Sequence, residues 1–170
     1  MSKKMSRKGS LTKDGVSAKG YFRLNITEDK DGVQKVVGDS GWVKNQITNL
    51  GFQNYLAALV GAVAGSKQVG YVALGTGGAP AAGDTVLAGE IMASTQRTAV
   101  TPTTIASKTV QFAATFSSAN SFLTASSNLS NIGLFNTTTT SDTLFAGNTY
   151  TSSAVATNQN VNITYQIRFS

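Results

Sequence analysis

Apolar and polar residues alternate along most of this chain, most clearly at its end. Val161, Ile163, Tyr165, Ile167 and Phe169 fall on one face, and Asn162, Thr164, Gln166 and Arg168 on the other. That is the period of two of a half-buried strand. A one-residue slip would turn all five apolar groups to water, so the register is strongly specified. The same alternation runs over residues 21–27. Glu28-Asp-Lys-Asp-Gly32 then closes a turn into residues 33–37, with Gly32 supplying the positive φ of a tight hairpin. A second turn over 38–41 precedes a strand over 42–47. Further strands are predicted at 69–74, 98–101, 109–116, 122–125, 131–136 and 144–146. A glycine-rich loop spans 75–82, a turn or short helix 84–90, and a polar stretch runs to Asn160.

One segment has the other period. Phe52, Tyr55, Leu56, Leu59, Val60 and Val63 recur at spacings of three and four, a single apolar stripe on a helix laid across the open face or end of a sheet. Asn49 is placed to cap its start, and Gly61 or Gly65 to end it. No repeat of about 20–50 residues is present, which argues against a solenoid. About seven to nine short strands separated by turns predict a mainly β fold. It is an antiparallel β-sandwich or jelly-roll-like barrel with one short helix and a flexible basic N-terminal arm. Residues 1–20 form the arm and 21–170 a single domain.

Charge sharpens this division. Residues 1–20 carry Lys3, Lys4, Arg7, Lys8, Lys13 and Lys19 against Asp14, so they hold +5 of the chain's net +6. From Thr109 to Ser170 only Asp142 and Arg168 are charged. The overall charged fraction is 13%, about half the usual share, while 41% hydrophobic residues is near normal. Disorder driven by high charge is thereby excluded for the body. Few surface charges also mean few repulsions against close association, which favours assembly.

The chain has no cysteine and no histidine. Disulfides, thiolate nucleophiles, zinc sites built on Cys or His, and Ser-His-Asp or Cys-His catalysis are all excluded. No apolar run approaches the roughly 18 residues of a membrane helix, so no membrane partner is expected. The basic N-terminus lacks the apolar core of a secretory signal. The Asn-x-Thr triplets at Asn25 and Asn162 then read as products of an Asn- and Thr-rich chain.

Four groups of residues invite a chemical assignment. Gly75-Thr-Gly-Gly78 is followed by Ala79-Pro80, without the lysine of a phosphate-binding loop, and suits a backbone turn at a subunit contact better than a nucleotide. Asp84 and Glu90 could act as paired carboxylates in glycoside hydrolysis. The simpler expectation is that Asp84 caps a turn and Glu90 pairs with Arg97. Glu28 to Asp31 lacks the spacing of a calcium loop and fits a solvated hairpin tip. The basic arm is the strongest functional candidate. Its six cations could neutralise phosphates in a salt-sensitive, sequence-blind contact, or fasten to an acidic protein surface. No cofactor is expected.

Three pieces in order resemble a pattern found in small β-rich virion structural proteins of tailed bacteriophages. They are Asn45-Gln-Ile-Thr-Asn-Leu-Gly51, then Tyr71-Val-Ala-Leu-Gly-Thr-Gly77 with Asp84-Thr-Val-Leu87, Glu90 and Arg97, then Asn131-Ile-Gly-Leu-Phe-Asn136 with Thr143-Leu-Phe-Ala146. Asn131 departs from the pattern, which has an acidic residue there. The resemblance spans about residues 42–170. It implies a non-enzymatic, decoration- or fibre-type protein of the virion head or neck, made in the host cytoplasm. Such a protein is a homo-oligomer, with a trimer favoured, attached by its arm to the major capsid or to neck or tail proteins. A tail-tube, tail-tip or baseplate subunit is the alternative within the class. A glycan-binding receptor module using Trp42, Tyr71 or Tyr150 is the alternative outside it.

Overall fold

The computed structural model describes residues 16–91, 97–138 and 144–170. It is a mainly β, antiparallel, nearly closed barrel with one short helical segment. The strands are β1 (Ala18–Lys30), β2 (Val33–Asp39), β3 (Val43–Ile47), β4 (Tyr71–Gly75), β5 (Thr98–Ala99), β6 (Thr101–Ala106), β7 (Thr109–Phe116), β8 (Ser127–Phe135), β9 (Ala146–Val155) and β10 (Gln159–Phe169). Their order in the sheet is β5-β4-β8-β9-β3-β1-β10-β7-β6, with β2 joined to β1 off that path.

The two ends of this order are consecutive in the chain. β5 pairs with β4, Val100 donates its N–H to the Gly70 carbonyl, and the backbone then continues into β6, which pairs with β7. One extended segment thus closes the sheet, and closure removes most of the open edges that invite aggregation. Where an edge remains it is blunted. β6 carries Pro102 and an irregularity near Ala106, and β2 carries Lys35 and a bulge opposite Ile26 and Thr27.

β1 and β10 form the longest ladder, from Ala18 against Phe169 to Glu28 against Gln159. The alternation of the last strand is realised: Val161, Ile163, Tyr165 and Ile167 are buried and face Phe22, Leu24 and Ile26 across the pair. Each contributes about 1.5–3 kcal/mol by leaving water. The β1–β2 hairpin turns through Asp31 (φ 57°) and Gly32 (φ 76°), the pair of left-handed residues a two-residue loop demands. Asp29 accepts the Gly32 N–H at 3.0 Å, fixing the turn.

Several expectations are corrected. β1 begins at Ala18, so Lys19 and Gly20 belong to the barrel and not to the arm. Residues 122–125 form no strand; Phe122 and Leu123 are buried without a ladder. The polar stretch before Asn160 conceals β9, a ten-residue strand between β8 and β3. The helical segment is capped by Thr48 rather than Asn49: the Thr48 hydroxyl accepts the Gly51 N–H at 3.0 Å and donates to the carbonyls of Leu144 and Phe145.

That segment opens with α-helical residues 49–50, is π-helical over Gly51–Ala57 and returns to α-helix over Ala58–Val60 (α1), ending at Gly61. The wider π turn rotates successive side chains off the stripe that a 3.6 period predicts. Tyr55 is buried over the barrel end, its ring 4.9 Å from Phe145 and its hydroxyl 3.1 Å from Asn136 Oδ1. Phe52, Leu59, Val60 and Val63 are left exposed.

Candidate functional site

Of the arm's cations only Lys19 lies among the described residues. It is exposed on β1, directly across the ladder from Arg168. Lys3, Lys4, Arg7, Lys8 and Lys13 lie outside the described residues. The described chain leaves the barrel at Ser17, whose N–H and C=O bond the C=O and N–H of Ser170. The arm therefore attaches at one end of the barrel, beside the last residue of the chain.

The glycine-rich loop after β4 is bound to its own chain. Thr76 and Gly77 donate their N–H groups to the carbonyls of Gly89 and Ala88, both at 3.1 Å. Asn131, wholly buried on β8, donates its side-chain amide to the carbonyls of Gly78 at 3.1 Å and Ala88 at 2.9 Å. A β-carbon on Gly75 would lie 2.4 Å from Asn131 Oδ1, and one on Gly77 2.4 Å from the Ala88 carbonyl oxygen. Glycine at these two positions is required by close packing of loop on loop. Two of the amides that would have to cradle a phosphate are already spent.

The two central carboxylates are also occupied, and not with each other. Glu90 binds Arg97 in a two-point pair at 2.7 and 3.0 Å, both side chains almost wholly buried. The Arg97 guanidinium lies 3.4 Å above the Phe135 ring and reaches the Thr137 carbonyl at 3.4 Å. Asp84 accepts the Ala81 N–H at 2.8 Å and closes a turn. Glu28, Asp29 and Asp31 sit at the hairpin tip. At the open end of that hairpin Arg23 grips Asp39 with two nitrogens. These hydrogen bonds, with the Gly41 N–H, hold the Asp39 carboxyl at about 2. Among the described residues no cluster of three or more Asp, Glu, His or Cys forms a metal-binding group.

The aromatic residues that could stack on a sugar are dispersed. Tyr150 packs edge-on against Phe22, and burial pushes its phenol well above the ordinary value. Tyr71 is half-buried against the small cluster of Ala73, Leu87, Phe135 and Leu144 outside the barrel wall. Trp42 is 46% exposed.

What the surface does offer lies at the barrel end covered by the helical segment. A groove of about 360 Å³ opens between Leu56 and Leu59 on one side and Val110, Phe112, Ile167 and Phe169 on the other. Its walls are almost entirely apolar, with Lys67 and Gln68 among the lining residues. Periodicity predicted apolar side chains on this segment but could not show that they would stay in water. No protein-family model matches the chain, and no curated protein or solved structure matches it.

Proposed function

We propose that this chain is a non-enzymatic structural protein of a bacteriophage virion, decorating or projecting from the head or neck, self-associating, and fastened to the particle through its basic N-terminal arm. One observation carries the proposal furthest. The body is a barrel filled by its own side chains, its two central carboxylates, Glu90 and Asp84, are taken up by an internal pair and a turn, and the cationic arm leaves from one end of it. Such a body has surface to offer rather than a reaction chamber. The arm supplies attachment by charge, and the Thr-, Ser- and Asn-rich wall supplies an exterior with little repulsion between neighbours. The ordered motifs of residues 42–170 point to the same class.

The test is removal of residues 1–15, which spares β1. The truncated chain is expected to stay folded, with an unchanged melting temperature, while its copy number on particles, read by quantitative mass spectrometry, falls about tenfold or more. Each lost phosphate or carboxylate contact removes a salt-sensitive contribution. Unchanged occupancy would overturn the role of the arm. Stacked hexameric rings of the purified protein under the electron microscope would move it to the tail tube.

A further inference from the structure

Two groups of exposed apolar side chains lie towards opposite ends of β1. At the end where β1 begins, Phe52, Leu59, Val60 and Val63 stand 47–90% exposed beside the groove lined by Leu56, Val69, Pro102, Val110 and Phe169. Ala18 pairs with Phe169, which fixes this location. At the other end β2 exposes Val33, Val36 and Val37 by 46–66%, with Val33 and Val36 on opposite sides of the hairpin because they pair with Lys30 and Thr27. Among the described residues the only ladder of β2 is to β1, which leaves its outer edge open. Val36 pairs with Thr27, nine residues along β1 from Ala18, so the two groups lie about 30 Å apart at ~3.3 Å per residue.

The two ends differ in charge. Around the groove are Lys67 in its wall, Lys108, whose carbonyl holds the Phe169 N–H, and Lys19 and Arg168 on the facing strands. Asp84 lies in the loop that bonds Asn49 there. Around β2 are Glu28, Asp29 and Asp31 with Lys30 and Lys35, so carboxylates predominate. Two groove ends brought together would oppose like charges, whereas a groove end against a hairpin end opposes unlike ones.

We infer that the partner of the helix-and-groove face is a second copy of this chain, docking head to tail through its β2 hairpin, with Val36 in the contact. Val36 and the apolar residues of the helical segment leave water together, and the surrounding charges set the orientation. Because the two faces differ, the contact is heterologous. It closes into a ring, such as a trimer, if the rotation permits, and otherwise extends as a filament. The inference rests on the self-association in the proposed function and is independent of which particle carries the protein.

The experiment uses the full chain with Val60→Asp and Val36→Asp, both at exposed positions, with circular dichroism confirming an unchanged fold. By sedimentation velocity each variant alone should be monomeric where the wild type associates, its dissociation constant raised about tenfold or more. An equimolar mixture should yield a dimer and nothing larger, because each variant retains one intact face. Association of the wild type should weaken between about 0.1 and 1 M salt. A dimer of Val36→Asp alone would mean that the groove faces pair with each other and would overturn the inference. So would a mixture that stays monomeric, or a wild type that never associates. A monomeric wild type that still occupies particles would sink this inference while leaving arm attachment standing.

Discussion

Asn131 lies on the outward face of β8, and its amide nitrogen ties together two loops by donating to the carbonyls of Gly78 and Ala88. A carboxylate at this position has no proton to donate and would face two carbonyl oxygens in a buried site. Asn131→Asp is therefore expected to cost about 3 kcal/mol at neutral pH, measured by urea denaturation. Tyr150 carries a buried hydroxyl that, like the Asn131 Oδ1, finds no hydrogen-bond partner among the described residues. Burial raises the phenols of Tyr150 and Tyr165 above their ordinary value of 10.0. In the unfolded chain both ionise near that ordinary value, whereas in the barrel they stay protonated. Their contribution to stability is thus complete below about pH 10 and is lost as the pH rises further. Tyr150→Phe should be neutral or about 1 kcal/mol stabilising at pH 7. It should also make the loss above pH 10 shallower, as seen by comparing urea midpoints at pH 7 and pH 11.

Among the elements, the helical segment depends on one side chain for its start. Thr48 satisfies the Gly51 N–H and binds the carbonyls of Leu144 and Phe145, so a single hydroxyl joins the segment to the approach to β9. Thr48→Ala should cost about 1–2 kcal/mol and be the larger loss when set beside Asn49→Ala, both read from thermal melts. The strands show where sequence patterns carry information and where they do not. β10 and the first half of β1 alternate cleanly because one face meets the core and the other meets water. β6 is exposed along its whole length and has no contrast to detect. β9 is composed of small and polar residues, Gly147, Asn148, Thr149, Ser152 and Ser153 among them. It exists because β8 and β3 offer it ladders. Phe122 and Leu123 are apolar enough for a strand, yet no neighbouring edge receives them. Strand formation is a property of pairing as much as of composition.

For the whole molecule the decisive event is closure. Ala18 must find Phe169, and the segment from Thr98 to Ala106 must bridge β4 and β7, before any edge disappears. The closed barrel then has two different ends. One bears the arm, the helical segment and the groove; the other bears the hairpin. Removal of residues 1–15 leaves every one of these ladders intact, which is why its effect is expected on attachment and not on melting temperature. The head-to-tail contact likewise belongs to this scale, because neither apolar face is an interface until a second copy supplies the other.

The chain's alternation and its turn residues sufficed to establish an antiparallel β body and a short helix over its end, and its charge is concentrated in the first twenty residues, because each depends on neighbours close in sequence. So did the pairing of Glu90 with Arg97, seven residues apart. The tertiary structure alone decided which strands would be neighbours, that the sheet would close, and that the helical turn would leave four apolar side chains in water. Those outcomes depend on contacts between residues far apart in the chain, where backbone ladders and packing override local preference. They placed two unlike faces towards opposite ends of one strand.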